Sequence, residues 1–256
     1  MDKLKIDSNR VKQKLIRFIR EQTSSAGFSR VVLGLSGGLD SSVTVYLCCA
    51  ALGKDNVLGL ILPYKISSAE SINHAKLIAR RCQVKTRFID ISEQIDTYFK
   101  NFSDADRIRR GNKMARERMS ILYDQSKAWD ALVVGTSNKT EILLGYGTIY
   151  GDVACAFNPL GSLYKTQLRQ LAKDLGLPKE IIQKTPSAGL WPGQSDEKEL
   201  GLTYARADQL LYYLVDKKYS LKRLMHLGFR KGYIEKVKCR IAANAFKSKL
   251  PAIAKI

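Results

Sequence analysis

Histidine is nearly missing from this chain, with only His74 and His226 among 256 residues. Neither has metal-ligand spacing, which argues against a histidine-built metal centre and leaves any catalysis to carboxylates, lysines, hydroxyls and backbone amides. Both read as surface or packing residues. Cysteine is also sparse and unpatterned. Cys48, Cys49, Cys82, Cys155 and Cys239 are odd in number, and no two stand in Cys-x-x-Cys spacing. That argues against a disulfide framework and a structural zinc site, and suits a reducing cytoplasm. Cys48 and Cys49 lie in the apolar run 43–52 and read as small core residues. Long hydrophobic runs are lacking too. The longest, 31–35 and 57–63, fall far short of the ~20 residues that a bilayer needs, and the first residues carry no signal-peptide core. The expected location is the cytoplasm, with no membrane partner. Acids are few: 24 Asp and Glu against 43 Lys and Arg give a net charge of +19. What is present is ordinary for a folded chain, 45% hydrophobic and 26% charged, so global disorder is excluded. The length suits one large domain or two small ones. The charge calls for an anionic partner, and composition leaves open nucleic acid, a membrane surface or a phosphorylated ligand.

Apolar periodicity orders the elements. Residues 9–22 carry a helical stripe, 30–35 read as a buried strand, 40–52 as helix and 57–62 as a second strand stopped by Pro63. Residues 68–81 form a helix with Ser68 at its start and Glu70 in its first turn. A third strand covers 84–91. A long polar helical stretch follows, with a break expected near Gly111, and 131–135 make a fourth strand. From about 165 the chain is helical again, with a stripe of Leu168, Leu171, Ala172 and Leu175 ending at Gly176. Residues 185–197, rich in Pro, Gly and Ser, suit a mobile loop, and 200–256 read as a basic helical region. Alternating strands and helices indicate an α/β fold with a mainly parallel sheet covered by helices on both faces. Ligands in such sheets bind beyond the carboxyl ends of the strands.

The loop after the first strand carries the strongest signal, Ser36-Gly-Gly-Leu-Asp-Ser41 followed by Ser42. Gly37 and Gly38 permit a tight turn and close approach to a ligand. The helix that follows aims free N–H groups and its positive dipole end at the turn, and the three serine hydroxyls add donors. A phosphate or pyrophosphate suits this arrangement, although a bare Gly-Gly pair would read as a helix cap. The Gly-Lys-Ser/Thr ending of a Walker A loop is absent. Asp40 is informative, because an acid beside a phosphate cradle repels the ligand unless a cation lies between them, and Mg²⁺ is the natural ion. After the fourth strand, Gly135-Thr-Ser-Asn-Lys-Thr-Glu141 offers the Thr136 hydroxyl and a second carboxylate. Asp40 and Glu141 could share one or two Mg²⁺ over a triphosphate. Alone, Glu141 would read as an exposed first-turn acid.

The first of these strings resembles the PP-loop of the N-type ATP pyrophosphatases, and the second the corresponding string of the NAD synthetase family within that superfamily. Gly111-Asn-Lys-Met-Ala-Arg-Glu-Arg-Met119, Gly145-Tyr-Gly-Thr-Ile-Tyr-Gly-Asp152, Asn158-Pro-Leu-Gly161 with Lys165, and Pro186-Ser-Ala-Gly-Leu190 with Gly193-Gln-Ser-Asp-Glu197 follow in the family's order. The resemblance covers about 31–247. It implies a Rossmann-like fold of the adenine nucleotide alpha hydrolase type and a single NAD synthetase domain over 1–256, with the core sheet in about 28–165 and the helical region in about 200–256. It also implies that Gly34, Leu35, Ser36, Gly37, Gly38, Leu39, Asp40 and Ser41 hold ATP phosphates, with Thr136, Lys165 and Ser187 as further ATP contacts. Asp40 and Glu141 become the magnesium ligands, and Arg116 a contact to deamido-NAD. Lys165 and Arg116 would otherwise pass as solvated cations of a basic protein. Asp152 is the best acid for orienting or deprotonating an incoming ammonium, although a turn after Gly151 would account for it nearly as well.

The implied reaction is amidation of deamido-NAD. ATP adenylates the nicotinate carboxylate, and ammonia displaces AMP to give NAD, with pyrophosphate as the other product. With no room for a glutaminase domain, free ammonia is the expected nitrogen donor. The resemblance further implies a homodimer. Ile149, Ala156 and Phe246 depart from the residues common in the family at positions that touch deamido-NAD, so contacts there do not transfer. A tRNA-modifying PP-loop enzyme is an alternative that fits the charge, but the chain lacks a zinc ribbon, a catalytic Cys pair and an obvious RNA-binding module, which makes a nucleic-acid partner unlikely. A non-catalytic nucleotide-binding regulator is another. Residues 217–256 hold twelve Lys and Arg against one acid, Glu235. A small-molecule phosphate site does not account for that excess, which reads as solvated surface with some steering of anions.

Overall fold

A computed structural model describes residues 2–191, 193–249 and 251–254. Helix α1 (Ser8–Ser25) precedes strand β1 (Val31–Gly34), and the chain continues through α2 (Leu39–Leu52), β2 (Val57–Ile61), α3 (Ala69–Cys82) and β3 (Lys85–Phe88). Helices α4 (Ser92–Phe99) and α5 (Arg107–Ala128) lead to the short strand β4 (Leu132–Val133). The four strands form one parallel sheet in the order β3-β2-β1-β4, so β1 lies inside with β2 and β4 on either side. Central strands of such sheets face no water, and Val31, Val32 and Leu33 are fully buried. One face packs against α1, α2 and α3 through Leu15, Ile19, Val43, Leu47 and Ile78. The other packs against α4 and α5 through Ile95, Met114 and Leu122. Strand β3 closes one edge with Lys85, Thr86, Arg87 and Phe88 all exposed, the charged edge that discourages further strand pairing.

The expected break near Gly111 is not there. Helix α5 runs unbroken through Gly111, and the interruption falls earlier, between Phe99 and Arg107. Packing explains the glycine, since a Cβ at Gly111 would lie 3.0 Å from Leu190 Cδ1 and 3.4 Å from Trp191. It is a seat for the 185–195 loop and leaves the helix intact. The Ser68 expectation holds, because its side chain accepts from Ser71 N as the cap of α3.

Beyond the sheet come α6 (Lys139–Leu144), α7 (Lys165–Asp174), α8 (Lys179–Gln183) and α9 (Asp196–Leu200). They are followed by α10 (Tyr204–Leu211), a π-helical turn Tyr212–Asp216, α11 (Leu221–His226) and α12 (Lys231–Asn244). The last helices share a separate apolar cluster around Tyr204, Leu210, Leu224, Ile234 and Val237, which also takes in Leu144 and Tyr164. The helical reading of 200–256 therefore holds as far as Ser248, whereas 251–254 are without regular structure; residues 250, 255 and 256 lie outside the described residues. Among the described residues, no helix is long and apolar enough to cross a membrane.

Candidate functional site

The carboxyl ends of β1 and β4 point to the same edge, and the loops that leave them build the site. After β1 the backbone turns at Gly37, whose φ of +72° lies in the left-handed region. A Cβ there would sit 2.1 Å from the Ser71 carbonyl oxygen and 2.8 Å from Ala75 N, so α3 leaves no space for a side chain. Gly38 then caps α2 in an extended conformation. The serines tie this turn together. Ser42 Oγ donates to the Gly38 carbonyl at 2.7 Å, Ser36 Oγ and Ser41 Oγ are 3.0 Å apart, and Gly38 N donates to Ser36 Oγ at 3.3 Å. The first-turn amides of α2 have no acceptors within the helix and carry its positive dipole end.

The second loop enters α6 through a capping box. The buried Asn138 side chain accepts from Glu141 N at 3.1 Å, and Glu141 Oε2 accepts from Asn138 N at 3.2 Å. Asn138 also donates from Nδ2 to Asp40 Oδ1 at 2.8 Å, which joins the two loops. Between them lies Lys165, the first residue of α7 and only 4% exposed. Its ammonium is hydrogen-bonded to Asp40 Oδ2 and, at 3.2 Å, to Glu141 Oε1. Three charges are thus withdrawn from water together, and each needs the others. Burial pushes the Glu141 carboxyl up, to about 7, with Lys165 opposing the shift and Asp40 adding to it. For Lys165 burial works against the charge, but Asp40 and Glu141 prevail and hold the ammonium above its ordinary value.

A layer of residues that sequence reasoning did not single out holds this centre. Asp208 in α10 is wholly buried and accepts from Thr140 Oγ1 at 2.6 Å and Thr166 N at 2.8 Å. Thr140 Oγ1 in turn accepts from Lys165 N at 3.1 Å. One carboxylate therefore fixes the residue before Glu141 and both sides of Lys165. Asp196, also buried, accepts from the Tyr146 and Tyr204 hydroxyls, each at 3.0 Å, and the Tyr204 ring lies 5.2 Å from the Lys165 ammonium. A sequence signal existed for Asp208. It shares the buried face of α10 with Tyr204, Ala207 and Leu211, and an acid in an apolar stripe needs a partner.

The other sequence-predicted residues, Asp152, Arg116, Thr136 and Ser187, take positions of their own, with the unpredicted cations Lys247 and Arg118 among them. Asp152, which ends the 145–152 string, lies at the exposed surface, and its Oδ1 accepts from Thr148 N at 2.8 Å; desolvation of the carboxyl raises it. Arg116, exposed on α5, donates to the Ile149 carbonyl at 3.2 Å. Lys247 reaches back from the C-terminal region to the Gly145 and Gly147 carbonyls at 2.9 and 3.0 Å. Arg118 is half-buried, its Nε donating to the Leu62 carbonyl at 2.9 Å; desolvation lowers its guanidinium to about 10 while Asp152 opposes. Thr136 follows β4 and is half-buried. Ser187 is exposed, and its hydroxyl accepts from Gly189 N at 3.1 Å within its own loop. Asp40, Glu141 and Lys165 are therefore brought into contact, whereas Asp152, Arg116 and Ser187 occupy separate positions.

Two carboxylates close enough to share one ammonium are close enough to share one small divalent ion. A glycine turn with a helix N-terminus beside them suits the phosphates that such an ion would bridge. The profile of the NAD synthase family matches residues 11–251 of the chain. The NH(3)-dependent NAD(+) synthetase of Fusobacterium nucleatum is 50% identical over 256 residues, covering 100% of this chain and 99% of that one. Among solved structures, the NH3-dependent NAD synthetase of Campylobacter jejuni superposes with a TM-score of 0.84 at 37% identity, over 98% of this chain and 100% of that chain. The NMN synthetase of Francisella tularensis gives a TM-score of 0.87 at 29% identity, with the same coverage.

Proposed function

The chain belongs to the NAD synthase family, and on that premise we propose that it amidates deamido-NAD with ammonia and ATP, releasing NAD, AMP and pyrophosphate. The observation that carries the reading is the Lys165 ammonium held between Asp40 and Glu141 beside the Gly37–Gly38 turn. In this reading the backbone of Gly34, Leu35, Ser36, Gly37, Gly38, Leu39, Asp40 and Ser41 cradles the ATP phosphates, and Thr136 and Ser187 contact the nucleotide. Lys165 holds its proton throughout, raised as it is by its two acids, and offers a fixed positive charge to the departing phosphate oxygens. Asp40 and Glu141 are the proposed ligands of Mg²⁺, and their hard oxygen donors fit it. When bound, the ion neutralises phosphate charge as it builds on the leaving group.

The nicotinate carboxylate oxygen attacks the α-phosphorus, and the bond from that phosphorus to the bridging oxygen of pyrophosphate breaks. Ammonia then attacks the acyl carbon of the adenylate, and AMP leaves with the bonding pair. Arg116 is the proposed contact to deamido-NAD. Asp152, its carboxyl raised by desolvation, is the proposed acceptor of the proton that ammonium must lose. Holding both reactants in line supplies a large part of the rate. We further propose one functional domain over 1–256, a homodimer and a cytoplasmic location.

The test incubates purified protein with ATP, Mg²⁺, deamido-NAD and ammonium chloride, following NAD and AMP together. Equimolar formation of both is expected, and absence of either overturns the proposal. The likeness to the Francisella NMN synthetase favours a second reading, in which the mononucleotide form of the acid is the acceptor. Competition between the two acids in one assay decides which is preferred.

A further inference from the structure

Two lysines reach the edge of the glycine turn from the C-terminal half, and they differ in one respect. Lys165 is neutralised by two carboxylates. Lys184, just beyond α8, is half-buried, yet among the described residues its ammonium has a hydroxyl as hydrogen-bond partner and no ion-pair partner. Its Nζ donates to Ser71 Oγ at 2.7 Å. Burial lowers the Lys184 ammonium, and Glu70 offsets this only through space. Ser71 is already engaged, because its Oγ accepts from Ser68 Oγ at 2.8 Å and its N donates to the same capping hydroxyl at 3.1 Å. A desolvated cation on a neutral acceptor gains by exchanging it for an anionic one.

Position says which anion. Ser71 is also the residue beneath Gly37, where a Cβ would lie 2.1 Å from the Ser71 carbonyl oxygen. The turn and the lysine therefore rest on the same residue from two sides. The same small cluster holds His74, whose Cβ is 3.0 Å from the position a Gly37 Cβ would take and whose buried Nδ1 has no partner among the described groups. Lys184 also opens the 184–195 segment. That segment is held at its middle by Leu190 and Trp191 against Gly111, and at its far end by Asp196 N on the Pro186 carbonyl at 3.1 Å. Lys184 is its hydrogen-bonded tie to α3.

We propose that Lys184 is a phosphate-binding residue. Its ammonium leaves Ser71 for the outer phosphate oxygens of ATP and then holds the departing pyrophosphate. This rests on the reading of the site as an ATP-cleaving one. The role is distinct from that of Lys165, which Asp40 and Glu141 hold in one position and which stays in place whether or not phosphate is bound.

Calorimetric titration of the full chain with magnesium pyrophosphate and, separately, with AMP tests this without needing turnover. Lys184→Gln is expected to weaken pyrophosphate binding about tenfold and to raise KM for ATP similarly, leaving AMP affinity unchanged. Lys184→Arg restores most of the loss, because the charge returns. Ser71→Ala, which removes the resting acceptor, leaves pyrophosphate affinity equal to or tighter than that of the parent chain. The proposal is overturned if Lys184→Gln binds pyrophosphate as the parent does, if it loses AMP and pyrophosphate equally, or if the parent binds no pyrophosphate. A parent chain that binds pyrophosphate through Lys184 but forms no NAD would sink the amidation reading while leaving this one standing.

Discussion

The strand-end site and the C-terminal helices hold their positive charge in opposite ways. At the site Lys165 is 4% exposed and faces two acids, and Asp40 is tied further by Asn138. In the C-terminal helices the cations stand in water. The ion pair described there, Lys231 with Glu235, spans 3.8 Å with both side chains more than half exposed. Arg240 and Lys247 turn inward, but onto the carbonyls of Leu144, Gly145 and Gly147. A buried charge requires a partner and an exposed one does not. The excess of +19 is therefore largely a property of solvated surface, and it carries little information about the site. Composition pointed towards an anion; a handful of mostly neutralised charges is where such an anion would bind.

The sharpest way to break this contrast is to neutralise one acid of each region. Asp40→Asn and Glu141→Gln should each reduce AMP release on the order of 100-fold, while Glu235→Gln should leave it within about twofold. Comparable losses in all three would end the distinction. Glycine gives a smaller effect, read in stability. Gly37→Ala forces a positive φ and a collision with α3, and should cost well over ~1 kcal/mol in urea denaturation. Gly232→Ala in the first turn of α12 meets nothing within 4 Å and should stay within about 0.5 kcal/mol, on the stabilising side.

The smallest effect is a slope against pH. Burial raises the Asp208 carboxyl, with Thr140 and Thr166 opposing. The folded chain therefore holds that proton more tightly than the unfolded chain, whose carboxyl has the ordinary value near ~3.9. The stability this gives is fully present below ~3.9 and is lost as pH rises through the folded value. Relative to the parent, Asp208→Asn should gain stability as pH rises above ~3.9, measured as the difference in urea midpoints. A constant difference would show that Asp208 does not titrate there.

The first half of the fold was legible because β1 and β2 are buried on both faces and appear as unbroken apolar runs, while α1 and α3 keep a helical stripe. Strand β4 spans two residues where five were expected, since its pairing with β1 ends at Val133 and Val134 forms an isolated bridge to Phe157. The misplaced break at Gly111 shows how local reading fails. Glycine spoke for a broken helix, and a side chain arriving from residue 190 had claimed the space instead. In the site, Asp40, Glu141 and Lys165 were legible because each sits in a polar turn or helix start at one sheet edge. Asp208 and Tyr204 act on that edge from α10, across tens of residues, and no short string could reveal the contact; Asp196 stands in the 193–197 string, but nothing local shows that it accepts from Tyr146 and Tyr204.

Asp208 has a consequence for anyone who shortens this chain. A fragment ending near residue 200 would keep every string by which the family is recognised, including all three charges of the centre. It would lose the one acid that accepts from Thr140 Oγ1 and Thr166 N, and with it the clamp on Lys165. Such a fragment would pass inspection by motif while its nucleotide edge had come loose. Conversely, a break placed in the 184–195 loop, with both pieces supplied together, asks whether α10 alone can re-form the clamp. Completeness of the signature and completeness of the machine are therefore separate properties of this protein, and they part company after α9.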